Sequence, residues 1–140
     1  MEKKPYEIIE HTADVGIRVK AKDLKELFSL SAQAMFDIIA EKSLQKSLPT
    51  KKIKIEQEAA NLDELFINWL NELLSLSAAK ELIFSDFQFQ EINETFLRAC
   101  AVADNIENYK VNVEIKAATY HDLKIHHDES GWVAEVIFDV

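Results

Sequence analysis

Hydrophobic residues recur every three or four positions in two stretches of this chain and alternate with polar residues in most of the rest. The first spacing predicts amphipathic helices at residues 24–40 and 62–77. The alternation predicts strands, because successive side chains of a strand point to opposite faces. These strands are expected at residues 6–10, 15–22, 53–59, 82–92, 95–103, 111–117, 123–127 and 132–138.

The first strand–helix segment resembles the second. Residues 17–28 align without gaps on residues 55–66, and in both a short strand leads into a helix. Each helix begins with a capping-box spacing, in which an N-cap residue (Asp23 or Asn61) is followed three positions later by glutamate. We interpret the repeat as an internal strand–helix duplication.

The order of the predicted elements indicates an α+β fold. Helices occur only in the first half and strands dominate the second, which predicts a two-layer sandwich of a mostly antiparallel or mixed β-sheet with both helices packed on one face. The size of 140 residues predicts a single domain over residues 1–140.

Composition narrows the possible functions. The formal net charge is -9, from 16 basic and 25 acidic residues, and such a surface repels phosphate, so direct tight binding to nucleic acid is not expected. The chain shows neither a membrane-spanning run nor a secretory leader, and Cys100 is its one cysteine. We therefore expect a cytoplasmic protein whose partner is another protein or a cation, with no membrane association.

Carboxylates near the two ends of the chain are the first candidates for a site. Asp14 follows the polar residues His11 and Thr12, and Asp139 precedes the terminal carboxylate of Val140. Clustered carboxylates repel each other unless a cation offsets their charge, and hard cations such as Ca²⁺ or Mg²⁺ take oxygen ligands of this kind. The alternative is that Asp14 caps a turn and Asp139 is a solvated chain end.

Other polar residues have a structural explanation beside a functional one. His11 suits a ligand, an acid–base group or a turn residue, and Glu26 is explained by the capping box. Lys116 lies among apolar neighbours and either faces solvent or reaches a carboxylate, a catalytic role being the minority reading. His121, His126 and His127 raise the possibility of a zinc site, but no thiolate is near and a turn with an exposed strand explains them better.

Five blocks of this sequence together resemble the archease family, from one end of the chain to the other and in the family's order. The blocks are residues 6–17 (YEIIEHTADVGI), 24–28 (LKELF), 34–36 (AMF), 116–120 (KAATY) and 136–140 (VIFDV). Archeases are small acidic proteins that activate the GTP-dependent tRNA-splicing RNA ligase. The resemblance therefore implies an accessory protein, not an enzyme, that promotes guanylylation and multiple turnover of that ligase in tRNA splicing or RNA repair.

The same resemblance implies roles for individual residues. Asp14, Asp139 and Val140 match the groups that hold a divalent cation in the family, with Ca²⁺ as the first choice and Mg²⁺ or Mn²⁺ as alternatives. Glu26 and Lys116 match residues implicated in activation, and His11 becomes a neighbour of the metal ligands. The sequence departs from the family pattern at Glu10, since many members carry aspartate before the histidine.

Two other classes of function remain open at this point. One is a small stand-alone metal-dependent hydrolase, with Asp14 and Asp139 as ligands and His11 as base. The other is a general chaperone or adaptor without a site.

Overall fold

The computed structural model describes residues 5–10, 14–43 and 51–140 of the chain, and that part contains nine strands and two α-helices. The strands are β1 (Tyr6–Glu10), β2 (Asp14–Ala21), β3 (Ala40–Lys42), β4 (Lys51–Glu58), β5 (Leu82–Ile92), β6 (Phe96–Asn105), β7 (Tyr109–Val111), β8 (Ala117–Asp128) and β9 (Gly131–Asp139). The helices are α1 (Leu24–Ile39) and α2 (Leu62–Lys80), and a 3-10 turn covers Ile106–Asn108. None of the described helices is both long and apolar enough to cross a membrane.

Both helices begin where the capping pattern predicts. The side chain of Asp23 accepts a hydrogen bond from the backbone N–H of Glu26 at 2.9 Å, and Asn61 does the same for Glu64 at 2.9 Å. These bonds satisfy backbone donors that the first turn of a helix leaves free. The α+β class and the positions of both helices are thus confirmed.

The strands form two larger sheets and a short ribbon. One sheet has the order β1-β2-β9-β8, the other has the order β4-β6-β5, and β3 pairs with β7. Every pair among the described strands is antiparallel. The predicted single sheet under both helices is thus wrong, because each helix contacts strands of both larger sheets.

The topology supports the predicted duplication and extends it. We call β2, α1, β8 and β9 the outer unit, and β4, α2, β5 and β6 the inner unit. Each unit runs strand, helix, then two strands, and in each the last strand lies between the other two, as β2-β9-β8 and β4-β6-β5. The inner unit is inserted in the chain between α1 and β8 of the outer unit.

The core forms where the two units meet. Phe28 of α1 packs edge-on against Phe66 of α2, with ring centroids 5.3 Å apart. The Trp69 indole lies 5.0 Å from the ring of Phe89 on β5, and its Nε1 donates a hydrogen bond to the carbonyl of Phe28 at 3.1 Å. Contacts among the buried rings Phe28, Phe66 and Trp69 and the partly buried Phe89 connect α1 to α2 and to the inner sheet.

One predicted strand is wrong. Residues 111–117 alternate apolar and polar side chains, but β7 ends at Val111 and β8 begins only at Ala117. In between, the backbone N–H of Asn112 bonds to the carbonyl of Ile39 at 2.8 Å, and that of Lys116 bonds to the carbonyl of Asp139 at 2.8 Å. The donors at the two ends of this segment have partners in different elements, α1 and β9, so the alternation reflects burial of single side chains and not a ladder.

The bounds of other elements also differ from the predicted ones. β8 extends from Ala117 to Asp128, well beyond the predicted residues 123–127, with an irregular section between Thr119 and Lys124. The predicted connection after α1 starts with the short strand β3, and α2 continues to Lys80. Asp14 is the first residue of β2, and residues 11–13, where a turn capped by Asp14 would lie, are outside the described residues.

Candidate functional site

Asp14 and Asp139 lie directly opposite each other on neighbouring strands. Asp14 opens β2, Asp139 closes β9, and the antiparallel register pairs their Cα atoms. The core residues Ile17 and Phe138 fix the direction of the side chains, because residues an odd number of positions away point to the other face. Both aspartates therefore occupy the outer face of the four-stranded sheet, away from the helices. Opposed residues of an antiparallel pair have Cβ atoms about 4.5–5.5 Å apart, within reach of a shared ion.

In another row on this outer face, charged side chains lie opposite side chains of the other sign. Four residues pair in one row across the sheet in the order Glu7, Arg18, Glu135 and Lys124, so that negative and positive side chains alternate. Opposite charges facing each other across strands are stabilising, whereas like charges are destabilising. The row that contains Asp14 and Asp139 is the exception to this pattern, since it pairs two carboxylates.

Backbone groups surround this carboxylate pair. Val140 follows Asp139 directly and is 38% exposed, and Ala117 at the start of β8 pairs with Asp139 from the other side. Lys116 is exposed and donates its backbone N–H to the carbonyl of Asp139 at 2.8 Å. The predicted residues Asp14, Asp139, Val140 and Lys116 are thus brought to one end of the sheet.

The chemistry of these donors fits a hard cation. Among the residues that the structure describes, no group of three or more His, Cys, Asp or Glu side chains gathers in one place. A cation at this position would take two side-chain carboxylates, Asp14 and Asp139, and complete its shell with main-chain or other oxygen atoms. Ca²⁺ accepts carboxylates, main-chain oxygens and water in such mixed shells, with oxygen distances of about 2.3–2.6 Å.

Glu26 lies elsewhere. It belongs to the first turn of α1, which follows the far end of β2, and β2 is about 23 Å long at a rise of roughly 3.3 Å for each residue. Its carboxylate accepts a hydrogen bond from the backbone N–H of Lys22 at 3.1 Å and lies 4.0 Å from the Lys22 Nζ. The structure therefore does not bring Glu26 to the carboxylate pair.

The histidines divide into two groups. His11 lies outside the described residues, so its predicted place beside Asp14 stays a prediction. In β8, the His121 Nε2 lies 3.4 Å from the carboxylate of Asp122, and the ring of His127 stacks on Trp132 with centroids 4.5 Å apart. These contacts favour the structural interpretation of the β8 histidines.

Sequence reasoning missed Asn71, a half-buried residue of α2. Its Oδ1 accepts a hydrogen bond from the N–H of Ala118 at 2.7 Å, and its Nδ2 donates to the carbonyl of Ala118 at 3.1 Å. Ala118 is the second residue of β8, one position after the partner of Asp139. A polar side chain between the buried residues Leu70 and Leu73 was the available signal, because an amide that is partly removed from water needs partners.

The whole described domain resembles one protein family. The model of the Archease protein family matches residues 6–140. Among curated proteins, "Protein archease" of Pyrococcus furiosus is 36% identical over 143 residues, covering 98% of this chain and 99% of that protein. "Protein archease" of Methanopyrus kandleri is 33% identical over 141 residues, covering 97% of this chain and 99% of that protein.

Solved structures show the same fold. The solution structure of a Methanobacterium thermoautotrophicum protein is similar with a TM-score of 0.75 and 27% identity, covering 99% of this chain and 100% of that one. The crystal structure of a Thermotoga maritima protein described as an archease, possible chaperone, is similar with a TM-score of 0.63 and 21% identity, covering 100% and 98%. The latter likeness supports the fold alone.

Proposed function

The chain belongs to the archease family, and from that premise we propose that it is an accessory protein that activates the GTP-dependent tRNA-splicing RNA ligase in the cytoplasm. In this role it promotes guanylylation and multiple turnover of the ligase and is not itself an enzyme. The family resemblance supports the identity of the partner. The acidic surface, with a net charge of -9, supports a protein partner over direct contact with RNA.

One observation carries the proposed site: the pairing of Asp14 with Asp139 on the exposed face of the sheet. Two opposed carboxylates destabilise a sheet unless something offsets their charge. Elsewhere on the same face the fold places Arg18 between Glu7 and Glu135, so the repulsive pair is a local departure from its own pattern. A bound divalent cation removes the repulsion and accounts for the departure.

Each residue has a part in the proposed site. Asp14, Asp139 and the main-chain carboxylate of Val140 would hold the cation, and the family resemblance favours Ca²⁺ over Mg²⁺ or Mn²⁺. When bound, it would supply positive charge for phosphate oxygens of a nucleotide at the ligase. Lys116, exposed beside Asp139, balances the carboxylates or contacts a phosphate, and His11 adjoins the ligands.

Replacing either aspartate by asparagine tests the proposal. Asp14→Asn and Asp139→Asn keep the shape of the side chain but remove the charge, so each is expected to weaken Ca²⁺ binding by at least about tenfold, or 1.4 kcal/mol. Both variants are expected to lose stimulation of ligase guanylylation. Ca²⁺ affinity is measured by titration calorimetry, and guanylylation by transfer of labelled GMP from GTP to the ligase.

Glu135→Gln is the matched control. Glu135 lies on the same strand and the same face as Asp139 but in the row of alternating charges. We expect Glu135→Gln to retain both Ca²⁺ binding and stimulation. Full stimulation by Asp14→Asn or Asp139→Asn would rule out the proposed site.

A chain extended beyond Val140 tests the third donor separately. The extension converts the terminal carboxylate into a peptide carbonyl, which carries no net charge, so weaker Ca²⁺ binding is expected. An unchanged affinity in the extended chain would remove Val140 from the set of ligands while leaving the two aspartates in place.

The alternatives give different results in the same assays. Hydrolysis of a small phosphate ester by the purified protein alone, lost in Asp14→Asn, would indicate the metal-dependent hydrolase. The "possible chaperone" of Thermotoga maritima motivates a third assay, suppression of aggregation of an unfolded client protein. Suppression without any effect on the ligase would replace the activator proposal by a chaperone role.

A further inference from the structure

Asn71 connects helix α2 to the strand that borders the carboxylate pair. Its side-chain amide accepts from the N–H of Ala118 at 2.7 Å and donates to the carbonyl of the same residue at 3.1 Å. Residues of antiparallel strands exchange hydrogen bonds in the same double manner. β8 is an edge strand of its sheet, and Asn71 thus takes the place of a neighbouring strand at this one position.

The other side of this short segment is bound to Asp139. Ala117 pairs with Asp139 in the sheet, and the backbone N–H of Lys116 donates to the carbonyl of Asp139 at 2.8 Å. Residues 116–118 are therefore held between α2 and the last residue of β9. The preceding residues 112–116 belong to no strand, and the N–H of Asn112 and the buried side chain of Ile115 hold them to α1 and the core.

The position of Asn71 in α2 indicates that its amide depends on the hydrogen bonds to β8. Asn71 is half-buried next to the fully buried Leu70. A partly buried amide loses contacts with water, so it is stabilising only when protein partners replace them. Both groups of the Asn71 amide have their partners on one residue of β8.

We infer that Asn71 is a positioning residue for the carboxylate site, which fixes the backbone of residues 116–118 and through them Asp139 and Lys116. The inference rests on the proposed function, since the cation site is the feature that Asn71 positions. Residues that orient metal ligands without touching the metal affect metal affinity by 10- to 100-fold in other proteins. A chain without the Asn71 amide is accordingly expected to fold but to bind Ca²⁺ more weakly.

A graded series at this position provides the test. Asn71→Leu has nearly the same shape and removes both hydrogen bonds, whereas Asn71→Asp keeps the acceptor for the Ala118 N–H and removes the donor. We expect the Ca²⁺ dissociation constant to rise by about tenfold or more in Asn71→Leu and by less in Asn71→Asp. We also expect the amide of Ala118 to exchange its hydrogen faster in Asn71→Leu.

Gln57→Leu is a matched control for loss of stability. The Gln57 Nε2 of β4 donates to the carbonyl of Asn68 in α2 at 3.1 Å, so this variant also breaks a contact between an amide side chain and a backbone carbonyl that links α2 to a strand. Its contact lies in the inner unit, away from Asp139. We expect Gln57→Leu to leave the Ca²⁺ affinity and the exchange of the Ala118 amide unchanged.

Assays of ligase stimulation distinguish a positioning role of Asn71 from a general loss of stability. With a positioning role, stimulation by Asn71→Leu is low at limiting Ca²⁺ and recovers when Ca²⁺ saturates the weakened site. Wild-type Ca²⁺ affinity in Asn71→Leu, or an equal loss in Gln57→Leu, would overturn the inference while leaving the proposed function standing. If the wild-type protein itself binds no Ca²⁺, both the inference and the proposed cation site are wrong. Asp14→Asn will then be indistinguishable from wild type in Ca²⁺ titrations.

Discussion

A single phenol connects the first strand to the first helix. Tyr6 of β1 is 9% exposed, and its hydroxyl donates a hydrogen bond to the carboxylate of Asp37 on α1. Gln33 donates a second hydrogen bond to the same carboxylate at 3.1 Å. Burial, together with the hydrogen bond to Asp37 and the charge of that carboxylate, holds the pKa of Tyr6 well above its ordinary value of 10.0.

This raised pKa predicts how stability responds to alkali. The unfolded chain releases the Tyr6 proton near pH 10.0 while the folded protein retains it, so the contribution of Tyr6 to stability is fully present below that pH and is lost as the pH rises above it. The free energy of unfolding of wild type minus that of Tyr6→Phe is expected to be constant up to about pH 9. Above pH 10 this difference falls by up to about 1.4 kcal/mol for each pH unit.

Urea denaturation of both proteins at pH 7, 9, 10 and 11 measures the difference, and the lysines that titrate in the same range cancel because both proteins contain them. A difference that stays flat to pH 11 would show that the folded state does not retain the Tyr6 proton.

Residue type and the family resemblance identify the acidic candidates from the sequence, but they do not predict which groups these residues contact. Asp14 and Asp139 were singled out from residue type and from the family resemblance, and the pairing of β2 with β9 places them opposite each other. Asn71 could not be identified in the same way, because its partner Ala118 is 47 positions away along the chain. A polar residue beside the buried Leu70 indicates that its amide has partners, but nothing local shows that they lie on a distant backbone.

The hydrogen bonds at the start of α1 allow a structural role of Glu26 to be distinguished from a functional one by mutation. The backbone N–H of Glu26 donates to the N-cap residue Asp23, while its carboxylate accepts from the backbone N–H of Lys22. Asp23→Ala removes the cap and is expected to cost about 1 kcal/mol of stability. Glu26→Gln retains an acceptor oxygen for Lys22 and is expected to change stability by less than about 0.5 kcal/mol.

The position of Glu26 also predicts its effect on the cation site. Because it follows the far end of β2 from Asp14, Glu26→Gln is expected to leave the Ca²⁺ affinity unchanged. If Glu26 takes part in activation, stimulation of the ligase falls in Glu26→Gln but not in Asp23→Ala assayed well below its unfolding temperature. A weaker Ca²⁺ affinity in Glu26→Gln would contradict this separation of the two regions.

Elements were predictable from the sequence wherever one local rule decided them. The caps at Asp23 and Asn61 and the helical spacing after them gave both helices. Residues 112–116 escaped prediction because Ile115 is buried although the segment belongs to no strand, so burial alternated without a ladder. Whether such a segment forms a strand depends on pairing with residues that are distant in the sequence, and that pairing produces no periodic pattern.

The outer and inner units of the fold are interlocked. The helix of each unit packs on a strand of the other, α1 on β5 and α2 on β8. The inner unit is inserted within the outer one, so neither unit has a core that its own elements complete. This arrangement predicts that the domain unfolds in a single cooperative transition, as small single domains usually do.

The two tryptophans make this prediction measurable, since Trp69 lies in α2 of the inner unit and Trp132 in β9 of the outer unit. Trp132→Phe leaves the fluorescence of Trp69 alone, and Trp69→Phe leaves that of Trp132. Trp69→Phe is expected to be the less stable variant, because Trp69 is fully buried and its Nε1 donates to the carbonyl of Phe28, which then loses that partner. Within each variant, however, the fluorescence transition in guanidinium chloride is expected to coincide with the loss of helical circular dichroism. If Trp132 changed its emission at a lower denaturant concentration than the helices unfolded, the outer sheet would open separately, and the interlocked packing would not be cooperative.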